Sequence, residues 1–132
     1  GDTALHIAAK NGDKDAIQLL FNSGGNPNIK NDQGDTALHI AAKNGDEHAI
    51  QLLCNGGWNP NIKNDQGDTA LHIAAKNGDK DAIQLLLDVG CKPNEKNKQG
   101  DTALHLAAKN NNKHAIQLFL DSGCYPNRTN NQ

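Results

Sequence analysis

The hexapeptide Gly-Asp-Thr-Ala-Leu-His begins at Gly1 and begins again at Gly34, Gly67 and Gly100, so the chain repeats itself every 33 residues. Four such units fill all 132 residues without remainder. A strict period of this length restricts the chain to an array of small units, each too small to bury a core alone and each stacked on its neighbours. Aligned, the units share 19 of 33 positions in all four. The first two differ only at Lys14/Glu47, Asp15/His48, Phe21/Cys54, Ser23/Gly56 and Gly25/Trp58. A chemical site is usually written once, so residues that recur four times are read first as structure.

Composition agrees with a thin core. Only 36% of the residues are hydrophobic, many of them Ala, and the aromatics are one Trp, one Tyr and two Phe. Such a core must come from small side chains that let helices approach closely. Nineteen Asn and 13 Gly supply turns, caps and left-handed positions. The net charge of −2 has its signs interleaved, which excludes the basic field of a nucleic-acid binder. No apolar run approaches the length of a membrane span. The amino-terminal residues lack the charged and apolar regions of a signal peptide, and the chain has no Met, so it reads as a segment of a longer polypeptide. Cys54, Cys91 and Cys124 are odd in number and have no ligand spacing, which fits a reduced, intracellular and cytoplasmic location.

The second unit shows the local grammar. Thr36 is a good N-cap, and Ala37 to Asn44 reads as a short helix with Leu38, Ala41 and Ala42 on one face. Gly45 ends it in the left-handed conformation, and Asp46 caps a second helix from about Glu47 to Asn55. Ala49, Ile50, Leu52 and Leu53 form the buried side of that helix. The stretch from Asn59 to Gly67 is dense in turn formers and reads as an extended loop or hairpin. In the fourth unit Asn111 and Asn112 replace Gly and Asp, and both are expected to keep the turn.

A 33-residue unit with Thr-Ala-Leu-His-Ile-Ala-Ala, then Asn-Gly, then Ala-Ile-x-Leu-Leu, then Gly-x-x-Pro-Asn resembles the ankyrin repeat, over the whole chain. It departs at Ala4, Ala37, Ala70 and Ala103, where the family usually has Pro, a change that removes only some rigidity at the helix start. The resemblance implies an all-α solenoid, with four helix-turn-helix units joined by β-hairpin-like loops in one domain. Its repeats are 1–33, 34–66, 67–99 and 100–132.

The histidine ladder His6, His39, His72 and His105 invites a metal reading. Stacked helices lie roughly 8–10 Å apart, too far for equivalent nitrogens to share a zinc ion. A His three residues after the capping Thr is better placed to bond its hydroxyl and the adjoining loop backbone, as ankyrin repeats use it. Cys91 and Cys124, one period apart, exceed the reach of a disulfide by the same spacing and read as free, partly buried packers. No phosphate-binding glycine loop and no nucleophile with its base is present in the sequence, so neither an enzyme nor a cofactor is expected. Asn127-Arg128-Thr129 matches a glycosylation triplet, which the cysteine pattern argues against.

The expected activity is therefore recognition of another protein. By the resemblance, the concave groove is lined by hairpin tips and first helices. That places Asp32, Gln33, Asp35, Lys43 and Asn44 in one exposed row, and Asp65, Gln66, Asp68, Lys76 and Asn77 in the next. Lys98, Gln99, Asp101, Lys109 and Asn110 follow. The bland alternative for these rows is a solvated face that keeps the array soluble. The 14 unlike positions crowd into the end of each second helix and the loop after it, where Trp58 and Tyr125 are the aromatic anchors of an interface. Trp58 equally suits the seam between repeats. A rival reading makes the array a passive spacer or targeting arm of a larger multidomain protein. The first unit has no polar cap, so Leu5, Ile17 and Leu20 are expected to be exposed, pointing either to missing neighbouring units or to self-association through the end repeats.

Overall fold

The computed structural model describes residues 1–55 and 59–123. Each unit supplies two short helices: α1 (Ala4–Asn11) and α2 (Lys14–Asn22), α3 (Ala37–Asn44) and α4 (Glu47–Cys54), α5 (Ala70–Asn77) and α6 (Lys80–Asp88), then α7 (Ala103–Lys109) and α8 (Lys113–Asp121). No strand forms among the described residues, so the array is all-α.

Every first helix starts in the same way. Thr36 Oγ1 accepts the His39 backbone N–H, while His39 Nδ1 accepts the Thr36 N–H at 3.0 Å. Two donors that the first turn would leave unsatisfied are thereby paired reciprocally. Gly45 closes the helix at φ 66°, with its N–H on the carbonyls of Ala41 and Ala42. Asp46 then caps α4 by accepting the Ala49 N–H at 3.2 Å. In the fourth unit Asn111 occupies the left-handed position at φ 55°, and Asn112 caps α8 through the Ala115 N–H at 3.0 Å. Both substitutes keep the turn, as expected for side chains that tolerate that geometry.

The first helices pack in one row, α1 on α3 on α5 on α7, and the second helices in another, with the two rows touching within each unit. A helix of 8 residues does not persist alone in water, so this packing makes the helices stable. Ala41, Ala42, Ala74 and Ala75 are fully covered and let the first row approach closely. Ile50, Leu53, Ile83 and Leu86 fill the space between the rows, each contributing about 2 kcal/mol by burial. Leu52, expected in the core, is only half-buried, because it lines an open groove between α2 and α4.

The first end of the array differs from the sequence expectation. Leu5 and Ile17 are 5% and 0% exposed, and Leu20 is half-buried. Ile17 points into the seam with the second unit, since its counterpart Ile116 loses that cover in the last unit, whereas Leu5 and its counterpart Leu104 stay covered at opposite ends of the array, at 5% and 7% exposed. The apolar side chains that reach solvent at the first end are Ile7 (49%) and Leu19 (66%).

The loops are hairpin-like turns that zip to one another. In the first, Asn31 N–H bonds Asp35 O and Gly34 N–H bonds Asn31 O. Adjacent loops then join by one backbone bond each, Asp65 N–H to Gln33 O at 3.1 Å and Lys98 N–H to Gln66 O at 3.0 Å.

Candidate interaction surface

The histidines tie one unit to the next. Because the Thr36 N–H points at Nδ1 of His39, that nitrogen must be an acceptor, and the ring proton lies on Nε2. Nε2–H donates to the Asp68 carbonyl, 29 residues further on, at 2.9 Å. His6 and His72 make the same bond to the carbonyls of Asp35 and Asp101. The loop pinned by each imidazole is thus the one leading into the next unit. All three rings are 1% exposed and their protein contacts take up both nitrogens, an arrangement that suits a structural role.

Burial holds the pKa of His39 and of His72 below the ordinary value of 6.5, outweighing the bonds to the Asp68 and Asp101 carbonyls. The unfolded chain therefore binds protons near pH 6.5 that the folded chain refuses. Stability is full above that pH and falls as the pH drops through it, with a slope approaching about 2.7 kcal/mol per pH unit for the two rings together. Urea midpoints measured at about pH 7.5 and about pH 5.5 should show this loss, and equal midpoints would contradict it.

The acidic column differs most from its expected placement. Asp35, Asp68 and Asp101 are each 2% exposed, so they are not part of an open row. Asp35 accepts from Lys43 Nζ at 2.7 Å and from Asn64 Nδ2 at 2.9 Å. Asp68 is held likewise by Lys76 and Asn97, and Asp101 by Lys109 at 2.6 Å. Burial pulls the Asp35 carboxyl upward, but the bonds from Lys43 and Asn64 outweigh it and keep the pKa below the ordinary value. Asn64 also accepts the N–H groups of Gln66 and Asp68 on Oδ1, so one asparagine shapes the turn into the next unit and grips the aspartate at the start of its own. From sequence alone, Asn31, Asn64 and Asn97 read only as turn formers. The available signal is that Asp, Lys and Asn recur together at fixed offsets in successive units.

The other asparagine column is partly structural too. Asn44 Nδ2 donates to the carbonyls of Ala9 and Lys10, and Asn77 Nδ2 to those of Ala42 and Lys43, both at 3.1 Å. Asn110 does the same to Lys76 O. These amides satisfy carbonyls at the end of the previous first helix while remaining at the surface.

What faces solvent is a narrower set. Lys43, Lys76 and Lys109 keep about half or more of their side chains exposed (51%, 47% and 62%) while anchored on buried carboxylates. Beside them stand the loop tips Asp32, Gln33, Asp65, Gln66, Lys98 and Gln99, all exposed. Asp32 takes the amino terminus of Gly1 at 2.9 Å. Trp58, Tyr125, Cys124 and the triplet at Asn127 lie outside the described residues. In the Trp58 column, Cys91 is 4% exposed and bonds Pro60 O through its thiol, a packing role for that cysteine. Cys54 and Cys91 are free thiols. Burial pushes them up to about 11 and about 12, with Cys54 adding to the effect on Cys91, so both stay protonated at neutral pH.

On the second-helix side, Glu47, Asp79 and Asp81 bring carboxylate oxygens within 4.8 Å of one another beside a shallow groove of about 410 Å³ that Glu47, His48 and Asp81 help to line. Partial desolvation and then the charge of Asp81 raise the pKa of Glu47. The cluster is not legible in the sequence because its members come from different units; Glu47 stands where the other units have Lys14, Lys80 and Lys113. None of the described helices is long and apolar enough to cross a membrane. A family model described as Ankyrin repeats (3 copies) matches residues 1–64 and, overlapping them, 44–130. No curated protein matches the chain.

Proposed function

The chain belongs to the ankyrin-repeat family, and from that premise we propose that it is a non-catalytic scaffold that holds a partner protein in the concave groove and along the loop edge. Ankyrin repeats are generally protein–protein interaction modules and generally non-enzymatic. The supporting observation is the row of exposed ammonium groups of Lys43, Lys76 and Lys109, each pre-positioned by a buried aspartate. A lysine held in one rotamer loses less entropy on binding than a mobile one, so a partner's carboxylates and carbonyls meet donors already in place. Asp32, Gln33, Asp65, Gln66 and Lys98 supply the rest of the contact edge. Asp35, Asp68, Asp101, Asn44 and Asn77 act as positioning residues behind them. Trp58 and Tyr125 are the aromatic anchors this reading assigns to the variable edge.

The lysines are poor probes, since charge reversal there strands a buried carboxylate and confounds binding with folding. The loop tips are clean ones. A saturable partner captured from a lysate should be lost with Asp65→Lys plus Gln66→Arg while the melting temperature is unchanged. Retention of the partner by that variant, with loss on Tyr125→Ala alone, would remove the groove from the site.

A further inference from the structure

Lys43, Lys76 and Lys109 each bond one oxygen of a buried aspartate, at 2.7, 2.7 and 2.6 Å. An ammonium has three protons to give, and among the described residues no second acceptor takes the other two. The aspartate offsets the charge of its lysine. What each unit offers outward is therefore a pair of fixed cationic N–H donors rather than a broad positive field. The asparagine after each lysine supplies the complement. Asn44, Asn77 and Asn110 spend their amide nitrogens on carbonyls of the unit before, and on these exposed side chains Oδ1 has no donor among the described residues.

The spacing of these groups selects the shape of a ligand. Units recur at the separation of packed helices, roughly 8–10 Å, so the three lysines span roughly 16–20 Å. A bound segment must present an acceptor on one face at that interval. A β-strand rises about 3.3 Å per residue, which brings residue i+3 to the right distance but turns it to the opposite face. An α-helix returns to the same face after seven residues, about 10.5 Å, beyond the interval, and its backbone groups are already bonded to one another. A polyproline II segment repeats its face every three residues, rises about 9.3 Å in doing so, and leaves its backbone groups unpaired.

We infer that the groove takes an acidic segment in the polyproline II conformation with Asp or Glu at every third position. Successive carboxylates meet Lys43, Lys76 and Lys109, and one backbone N–H per turn reaches the asparagine beside each. The inference rests on the groove reading and adds to it the chemistry and shape of the ligand. From the first acidic residue to the third is about 19 Å, within the span of the lysines. The donors are already held and the segment is close to its bound shape beforehand, so little entropy is lost on either side.

The probe is a capped peptide, Glu-Pro-Pro written three times over, titrated into the isotope-labelled chain and followed by amide chemical shifts. Saturable binding is expected, with the shifts gathered at residues 43–44, 76–77 and 109–110. A peptide of the same composition with its three Glu adjacent should bind about tenfold or more weakly, because its carboxylates point to three different faces and one lysine is satisfied in place of three. Lys-Pro-Pro three times over should not bind. Equal affinity for the spaced and clustered peptides would overturn the inference, as would shifts gathered elsewhere or no saturable binding of the spaced peptide. So would tighter binding of a helical peptide with Glu at every seventh position. The two readings fail separately. A spaced peptide that does not bind, while Asp65→Lys plus Gln66→Arg still loses the lysate partner, strikes this inference alone; a partner kept by that variant strikes the groove reading however the peptide behaves.

Discussion

Replacing His39 with Ala is expected to cost about 2–4 kcal/mol and to lower the melting temperature by roughly 10 °C. The loss has three parts. The Nε2–H bond that carries the Asp68 carbonyl disappears, and with it one direct tie from the second unit to the third. The Thr36 N–H loses its acceptor in a site that is 3% exposed, and an unsatisfied buried donor is worse than a lost contact. The space of a fully buried imidazole remains as a cavity. A chelator added to the unsubstituted chain should leave its melting temperature unmoved, since the ring nitrogens are engaged by protein groups. A variant that melts with the parent chain, or a parent chain that needs a metal to hold its melting temperature, would show that the ladder does something other than join units.

Much of this array is readable directly from the chain because its rules are local. Thr, then Gly or Asn, then Asp mark helix boundaries within one turn, and α3 runs from Ala37 to Asn44 as its caps dictate; α4 ends one residue earlier than expected, at Cys54. What the sequence hides is anything decided between residues far apart along the chain. Asp35 looks like a loop residue open to solvent, because its partners lie eight residues away at Lys43 and 29 away at Asn64. Periodicity also cannot say which neighbour an apolar side chain faces. Leu5 and Ile17 are expected at the exposed end, but both are buried, Ile17 toward the second unit, while Ile7 and Leu19 face back. A helix packed on both sides has two apolar stripes, and the sequence does not label them. The loop tips are exposed as expected for the opposite reason: Asp32, Gln33, Asp65 and Gln66 have no apolar work to do and stay outside.

The second large effect is expected at Gly67, and it distinguishes backbone strain from contact between loops. Gly67 sits at φ 79°, where an L side chain costs roughly 1–2 kcal/mol by itself. A Cβ there would also stand 2.7 Å from the Lys98 backbone nitrogen and 3.1 Å from the Asn97 carbonyl carbon. Both obstacles are main chain, so no rotamer change relieves them. The third loop must move away, breaking the Lys98 N–H to Gln66 O bond and straining the Asn97 grip on Asp68. Gly67→Ala is therefore expected to cost about 3–4 kcal/mol or more, beyond the strain alone. Gly24 isolates the strain: it has φ 83° and nothing within 4 Å of the point where a methyl group would stand, so Gly24→Ala should cost only about 1–2 kcal/mol. In a one-dimensional array a weakened interior joint also uncouples what lies on either side of it. Urea unfolding of Gly67→Ala should accordingly broaden or split into two steps, while Gly24→Ala keeps a single sharp transition. Equal losses for the two variants would mean that the loops do not bear on one another, and that the joint between units rests on the helices alone.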